Sequence, residues 1–163
     1  MLQKTHRLPD FLVFVLRGLQ FFHECGYLYR NIHPDHVMCS YDNNVVLLDL
    51  KRMRRFVDLK GKHLFVSREE KDLEDEFISN ARIRGIKEGR KDDLESLGYL
   101  ALYLLEGRLP WNVENMAQVR SKLTLKNLCG QYKGLLEYMI AISQMNTEDT
   151  PDYNYLAALL AEI

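Results

Sequence analysis

The feature that most constrains the fold of this chain is the apolar stretch from Asp92 to Glu106. At helical spacing its apolar side chains cover two sides, with Leu94, Leu97, Ala101, Leu104 and Leu105 on one and Tyr99, Leu100, Leu102 and Tyr103 on the other. A helix that is apolar on both sides has to be surrounded by the rest of the chain. The pattern therefore predicts a mainly helical domain built around this segment, which ends at Gly107.

Further apolar periodicities predict helices before and after the central one. The first runs from Phe11 to Phe22, after Pro9 and Asp10, which suit the first turn of a helix. The later ones are expected at 114–122, at 133–145 and at Pro151–Glu162, the last with Thr150 as its cap and with Tyr153, Leu156, Ala157 and Leu160 turned inward. Most of the chain is thus expected to be helical.

One small sheet is also predicted. The runs Val37–Cys39 and Val45–Leu48 are short and rich in β-branched residues, and residues 41–44 between them are typical of a turn. Two such runs joined by a tight turn predict a β-hairpin. Apart from this hairpin we expect no extended sheet.

The bulk composition bounds the class of protein. With 163 residues, 47% hydrophobic and 28% charged, the chain predicts one soluble globular domain over residues 1–163. A net charge of −1 gives no basic footprint for nucleic acid, and no segment approaches the roughly 20 uninterrupted apolar residues of a membrane span. The 3 cysteines are scattered, which favours reduced thiols and a cytoplasmic or nuclear location.

The stretch between the first helix and the hairpin carries the pattern of functional interest. Residues 27–38 read Tyr-Leu-Tyr-Arg-Asn-Ile-His-Pro-Asp-His-Val-Met, and the β-prone run that follows ends in Asp49. An apolar helix, a loop with an arginine and a proline, and a hairpin leading to an aspartate form the layout of a protein kinase catalytic loop. We therefore expect residues 27–38 to be such a loop or a remnant of one.

Two other stretches make the resemblance more specific. Lys-Asp-Asp-Leu-Glu-Ser-Leu-Gly-Tyr from Lys91 is followed by Leu-Glu-Gly-Arg-Leu-Pro-Trp ending at Trp111, and Asp-Thr-Pro-Asp-Tyr-Asn-Tyr-Leu begins at Asp149. With the loop, these stretches closely resemble the casein kinase I and vaccinia-related kinase group, and they come in that group's order. The matches reach across most of the chain.

The resemblance implies a mainly α fold, the large C-terminal lobe of a protein kinase with one small β-hairpin. Residues 27–38 would then be a catalytic-loop remnant, 49–91 an activation-like segment and 92–106 the central helix. The family's small N-terminal lobe carries its Gly-rich loop and its ATP-holding Lys, and it finds no room before Pro9. We therefore expect the small lobe to be absent and no cofactor to be bound.

Three key positions of the loop depart from the family's pattern. Asn31 stands where the family has the aspartate that accepts the substrate's proton, and a carboxamide cannot accept a proton near neutral pH. His33 stands in place of a lysine on the phosphate side, and His36 in place of an asparagine that binds magnesium. Only Asp49, with His36, is left as a remnant of the metal site. The departures predict a loop without phosphoryl transfer.

Other positions keep or invert roles that the resemblance implies. Asp93 matches the structural aspartate that anchors the loop backbone, and Arg30 is expected to bond locally within the loop and the activation-like segment. Glu74 and Glu76 stand where a threonine and an anion-binding arginine are expected, and a carboxylate repels what an arginine would clamp. Phosphate recognition by that segment is therefore not expected.

Metal binding by the loop is a weaker hypothesis. His33, Asp35, His36 and Asp49 are residue types that bind zinc, but their spacing lies in a kinase-like loop, and coincidence explains it better. Magnesium at Asp49 would lack a triphosphate and a second ligand. We expect no metal site.

Three hypotheses of function remain. The first is an inactive pseudokinase domain that binds another protein, through an apolar surface with Leu12, Leu16 and Leu50 as candidate residues. The second is half of a serine/threonine kinase, to which a small lobe from another chain would bring ATP and magnesium. The third is a decayed gene product, for which poor folding would be the sign.

Overall fold

A computed structural model of the chain describes residues 8–39, 45–64 and 75–163. The helices are α1 (Leu8–Glu24), α2 (Asn80–Arg84), α3 (Arg90–Glu106), α4 (Met116–Lys122), α5 (Leu125–Cys129), α6 (Lys133–Ser143) and α7 (Tyr153–Ala161). The strands are β1 (Tyr27–Leu28), β2 (Val37–Cys39), β3 (Val45–Leu47) and β4 (Arg54–Arg55). This architecture confirms the prediction of a mainly α fold with a small hairpin.

Helix α3 runs through the middle of the core, as its apolar pattern predicts. It packs on one side against α1 and on another against α6, and Leu94 and Leu97 are completely buried. A Cβ added at Gly98 would lie 2.1 Å from Sδ of Met139 on α6, so any larger residue there requires the buried Met139 side chain to move. At its beginning, the Asp92 side chain accepts a hydrogen bond of 2.7 Å from the Gly89 N–H.

Helix α1 lies against α3, α7 and β3, and this placement corrects one prediction. Leu12 and Leu16 are completely buried, so they belong to the core and cannot form an exposed interaction surface. The reason is that the helix turns its densest apolar stripe inward, which leaves Phe14 and Phe21 as its exposed apolar residues at 45% and 63% exposure.

The two pairs of strands differ in how well the sequence indicates them. β2 and β3 form the predicted antiparallel hairpin, with Met38 opposite Val46, while the turn at 41–44 lies outside the described residues. β1 pairs with β4, Tyr27 opposite Arg55 and Leu28 opposite Arg54, which no pattern predicted. Two residues are too few to show an alternation of apolar and polar side chains.

The C-terminal helices also differ from expectation in detail. α7 begins at Tyr153, and its cap is Asp152, whose carboxylate accepts from the N–H groups of Asn154 and Tyr155; Thr150 is not the cap. The predicted inward residues are buried: Tyr153, Leu156, Ala157 and Leu160. Within the described part of the chain, no helix is long and apolar enough to cross a membrane.

Candidate functional site

The loop at 27–38 is held by the carboxylate of Asp93, near the beginning of α3. Asp93 Oδ2 accepts from the N–H of Tyr29 and Oδ1 from the N–H of Arg30, each at 2.7 Å. Asp93 is 3% exposed. Since a buried carboxylate needs several donors to offset its lost hydration, the loop backbone and Asp93 depend on each other.

A buried histidine extends this anchor to two more helices. His23, in the last turn of α1, places Nε2 at 2.9 Å from Asp93 Oδ2 and Nδ1 at 2.6 Å from the hydroxyl of Tyr153 on α7. The side chains therefore connect α1, α3, α7 and the loop in one polar network. His23 was not predicted from the sequence, because α1 also contains Arg17, Gln20 and Glu24 and nothing local marks the one polar side chain that is buried.

Arg30 binds a glutamate that comes just before α3. Its Nε donates to Glu88 Oε2 at 2.8 Å, and Arg82 on α2 donates from Nε to Glu88 Oε1 at 3.1 Å. Arg82 also donates from Nη1 to the carbonyl oxygen of Arg30 at 3.0 Å. Arg30 thus joins the loop to the end of the activation-like segment, with a partner that the sequence did not single out.

Asn31 lies where the base of a kinase would stand, and here it is a hydrogen-bond donor. It is 3% exposed, and its Nδ2 donates to the carbonyl oxygen of Asp49 at 2.8 Å. An amide in this arrangement ties the loop to the residue that follows the hairpin. It offers no basic atom to a hydroxyl proton, because a carboxamide stays unprotonated and neutral at physiological pH.

His36 and Asp49, the two positions that the resemblance assigns to metal binding, lie opposite each other. His36 Nδ1 is 3.2 Å from the carbonyl oxygen of Asn31, and its Nε2 is 3.8 Å from Asp49 Oδ2. Asp49 has a positive φ of 52° and caps the short 3-10 turn Leu50–Arg52 by accepting from the N–H of Lys51 at 3.4 Å. The carboxylate therefore already has two partners.

His33 is turned toward the activation-like segment. Its Nδ1 accepts from the N–H of Asp35 at 3.2 Å, and its ring meets the edge of Phe77 at a centroid distance of 5.1 Å. The ring of His36 lies 5.3 Å from it. An imidazole packed on an aromatic ring is a poor substitute for the long, mobile ammonium of a lysine on the phosphate side.

These residues line an open cleft of about 390 Å³. Four carboxylates line it, from Asp35, Asp49, Asp75 and Glu76, together with the guanidinium of Arg52. Burial, with a contribution from Asp75, raises the pKa of Glu76 above its ordinary value. Glu74 lies outside the described residues. The described lining therefore has more acidic than basic side chains.

The cleft offers few of the ligands that magnesium would need. A magnesium ion bridging phosphates requires oxygen ligands in a nearly octahedral arrangement, and of the positions that the resemblance assigns to the metal only Asp49 carries a carboxylate. Among the described residues there is no group of three or more His, Cys, Asp or Glu arranged to hold a metal ion.

Apolar side chains close to the loop are exposed. Leu50 is 48% exposed, and Met38 and Val46, which are paired across the hairpin and so share one of its faces, are 54% and 43% exposed. Of the three residues predicted for an interaction surface, only Leu50 is accessible, whereas Leu12 and Leu16 are in the core. The hairpin residues were missed because a short β run does not show which face is covered.

Comparisons with known proteins place the chain among kinase-like sequences. No protein-family model matches it. A probable casein kinase I homolog of Encephalitozoon cuniculi is 31% identical, over 91% of this chain and 51% of that protein. Casein kinase I homolog 3 of Schizosaccharomyces pombe is 30% identical, over 89% of this chain and 37% of that protein. The chain therefore spans about half the length of the first relative and less of the second.

Proposed function

We propose that this chain, which is similar to casein kinase I homologues over about 90% of its own length and has the mainly helical fold expected of their large lobe, is a catalytically inactive member of that group. In this proposal it is a pseudokinase that acts by binding another protein, without ATP or magnesium. The loop is kept for its structural role, in which it joins α1, α3 and the activation-like segment.

The observation that best supports the proposal is the burial and hydrogen bonding of Asn31. Its amide is buried and donates to a backbone carbonyl, so the position that should accept a proton is a structural tie. His33 and His36 remove two further groups on which phosphoryl transfer depends. Catalytic groups that act as a unit are not additive, so the loss of the base alone removes most of the rate.

The surface near the loop supports the protein-binding part of the proposal. Leu50, Met38 and Val46 expose about half of their apolar surface. Exposed apolar groups, such as Leu50 and the cross-strand pair Met38 and Val46, favour burial against a partner, at roughly 25 cal/mol for each Å² removed from water. A protein surface with apolar side chains of its own is the kind of partner that would cover them.

A second candidate function is favoured by the retained Asp49, which is partly exposed in the cleft. Under this alternative the chain is half of a serine/threonine kinase, and a small lobe in trans supplies ATP binding. The His36 imidazole opposes it, because its Nε2 lies 3.8 Å from Asp49 Oδ2, beside the oxygen atoms that a magnesium ion would need.

Thermal denaturation with and without ATP and magnesium tests the choice between these functions. We expect no change in the midpoint when nucleotide and metal are added, either to the chain alone or with a casein kinase I small lobe. A ligand present at 100 times its Kd would add about 2.7 kcal/mol of stability. A stabilisation of that size that disappears in Asp49→Asn would favour the half-kinase.

Affinity capture from the native cell tests the protein-binding part. We expect Leu50→Asp to lose a partner that the wild-type chain retains, because a buried unpaired carboxylate is costly at an interface. Ile86→Asp is the control, since Ile86 is an exposed apolar residue, at 51%, on a different segment. Equal loss in both variants, or in neither, would contradict a role for the loop-side surface.

A further inference from the structure

A groove lies between α6 and α7, away from the cleft described above. It has a volume of about 590 Å³, within the range of cavities that hold ligands in proteins. Its apolar lining consists of Ile140, Ala141, Met145, Pro151, Tyr155 and Leu156. No residue of the loop at 27–38 lines this groove, so the loop does not explain why the groove has an apolar lining.

The two helices place apolar residues on the groove at helical spacing. On α6 these are Ile140 and Ala141, one turn after Glu137 and one turn before the C-cap Gln144, and on α7 they are Tyr155 and Leu156, one turn after the N-cap Asp152. Each helix therefore turns a pair of adjacent apolar residues, the apolar stripe of that helix, to the groove. Ile140 is 39% and Tyr155 is 52% exposed, so both stripes keep accessible apolar surface.

The charges of the groove have a single sign. Glu137, Asp149 and Asp152 contribute carboxylates, and among the described residues that line it there is no lysine or arginine. Of the cations nearby, Lys133 is 3.8 Å from Glu137, and the guanidinium of Arg90 donates to the backbone carbonyls of Glu148 and Asp149. The lining itself therefore carries three carboxylates and no cation, while Lys133 and Arg90 lie beside it.

Two of the carboxylates are also used within the fold. Asp152 caps α7, and Asp149 accepts from the N–H of Asn146 at 2.8 Å. A carboxylate that accepts from backbone N–H groups keeps its negative charge and still attracts a cation from solvent. Glu137 has only the exposed Lys133 as a partner, an ion pair of the kind that contributes little to stability.

We propose that the α6–α7 groove binds a short amphipathic helix of a protein partner, one whose apolar side chains are flanked by lysine or arginine. The apolar stripes would cover the partner's apolar face, and the three carboxylates would meet its cations. The lining residues from Glu137 on α6 to its C-cap Gln144 span about 10 Å, so two turns of a partner helix match the length of this side of the groove. Charge complementarity selects this occupant over an acidic segment.

This inference does not depend on the loss of phosphoryl transfer, because none of the groove residues belongs to the loop at 27–38. Peptide binding and phosphate transfer are separate readouts, so one proposal can fail while the other stands.

Fluorescence anisotropy with two synthetic helical peptides tests the proposal. One carries leucines at positions i, i+3, i+4 and i+7 with lysines elsewhere, and the other has glutamate in place of every lysine. We expect saturable binding of the lysine peptide at low salt, weakened by added salt, and at least about tenfold weaker binding of the glutamate peptide. Equal binding of both peptides, or of neither, would overturn the proposal.

Variants locate the binding site. Ile140→Asp and Glu137→Lys should each weaken the lysine peptide at least about fivefold, since one charges the apolar stripe and the other reverses the charge of a lining carboxylate. Leu59→Asp is the control, because Leu59 is 90% exposed and lies outside the groove. Unchanged binding in Ile140→Asp and Glu137→Lys, or an equal loss in the control, would refute the site.

Self-association is a separate outcome. If sedimentation shows that the wild-type chain forms dimers and that Ile140→Asp is monomeric, the groove holds a second copy of the chain, and the proposed basic segment is wrong.

Discussion

Single side chains hold the loop at 27–38 in place. Asn31 donates to Asp49, and Asp93 accepts from two N–H groups. Both are nearly inaccessible to solvent, which makes their hydrogen bonds costly to break. Asn31, at the position that the resemblance gives to the catalytic base, and the structural Asp93 are thus both parts of a buried polar scaffold.

Replacing Asn31 by aspartate should destabilise the protein by about 1 to 3 kcal/mol. The new carboxylate would lose the donated hydrogen bond and face the Asp49 carbonyl oxygen from a buried position. Urea denaturation measures the change. Asn127→Asp, at an exposed position in α5, is the control and should be close to neutral; an Asn31→Asp protein as stable as the wild type would contradict the scaffold role.

Asp92 should make stability fall as the pH rises from about 4 to about 6. Burial raises its pKa from 3.8 to about 6, despite the opposing effect of Lys91. The folded state therefore favours the protonated carboxyl, and its contribution is complete below the unfolded pKa and is lost through the folded one. Asp92→Asn should gain roughly 2 to 3 kcal/mol relative to the wild type over this interval, as measured by denaturation at several pH values.

A parallel pH dependence in the two proteins would show that Asp92 does not titrate in this way. The comparison is informative because the asparagine retains an oxygen to accept the N–H of Gly89, so the helix cap survives.

Among the secondary structure elements, α3 sets the arrangement of the others. Its N-terminal end holds the loop through Asp93, and its middle packs directly against α6 at Gly98. Because Gly98 has no side chain, Met139 of α6 can pack directly against the α3 backbone. A larger residue at position 98 should therefore displace the Met139 side chain, and α6 with it where that side chain cannot move.

Gly98→Ala should destabilise the protein by about 1 to 3 kcal/mol, although alanine favours helices. Its Cβ would come within 2.1 Å of Met139 Sδ in a packed core. Gly18→Ala in α1 is the matched control, since its Cβ would come no closer than 3.2 Å, to the end of the Leu47 side chain. The control should lie within about 1 kcal/mol of the wild type by urea denaturation. Equal effects at both glycines would contradict the close α3–α6 contact.

The elements also show what a sequence can and cannot predict. α3 and the β2–β3 hairpin were predictable because periodicity and turn residues are local signals. The pairing of β1 with β4 and the inward rotation of Leu12 and Leu16 were not, because both depend on which distant segments cover a surface. For the site, Asn31 and Asp93 followed from motif positions, whereas Glu88 and His23 are partners brought close only by folding.

For the whole molecule, the buried core is the feature that bears on the hypothesis of a decayed gene product. Most of the described buried apolar side chains form one cluster, to which α1, α3, α6 and α7 contribute. Such a core predicts a single cooperative unfolding transition. Trp111 is the only tryptophan and is 4% exposed, so its fluorescence reports on packing beside α3.

Urea unfolding followed by Trp111 fluorescence and by far-UV circular dichroism should give coincident curves. Both signals should then report the same midpoint, because helix and side-chain packing are lost together. If helix signal persists after the fluorescence change, with dye-binding apolar surface exposed, the domain lacks a fixed core and the third hypothesis gains support.

We propose that the kinase-like loop of this protein has a structural role and transfers no phosphate. The most direct measurement is incorporation of radiolabelled phosphate from ATP into a protein substrate, with the wild-type protein and Asn31→Ala compared at equal concentration. We expect the same background signal from the wild-type protein and from Asn31→Ala. Turnover by the wild-type protein that Asn31→Ala abolishes would contradict it.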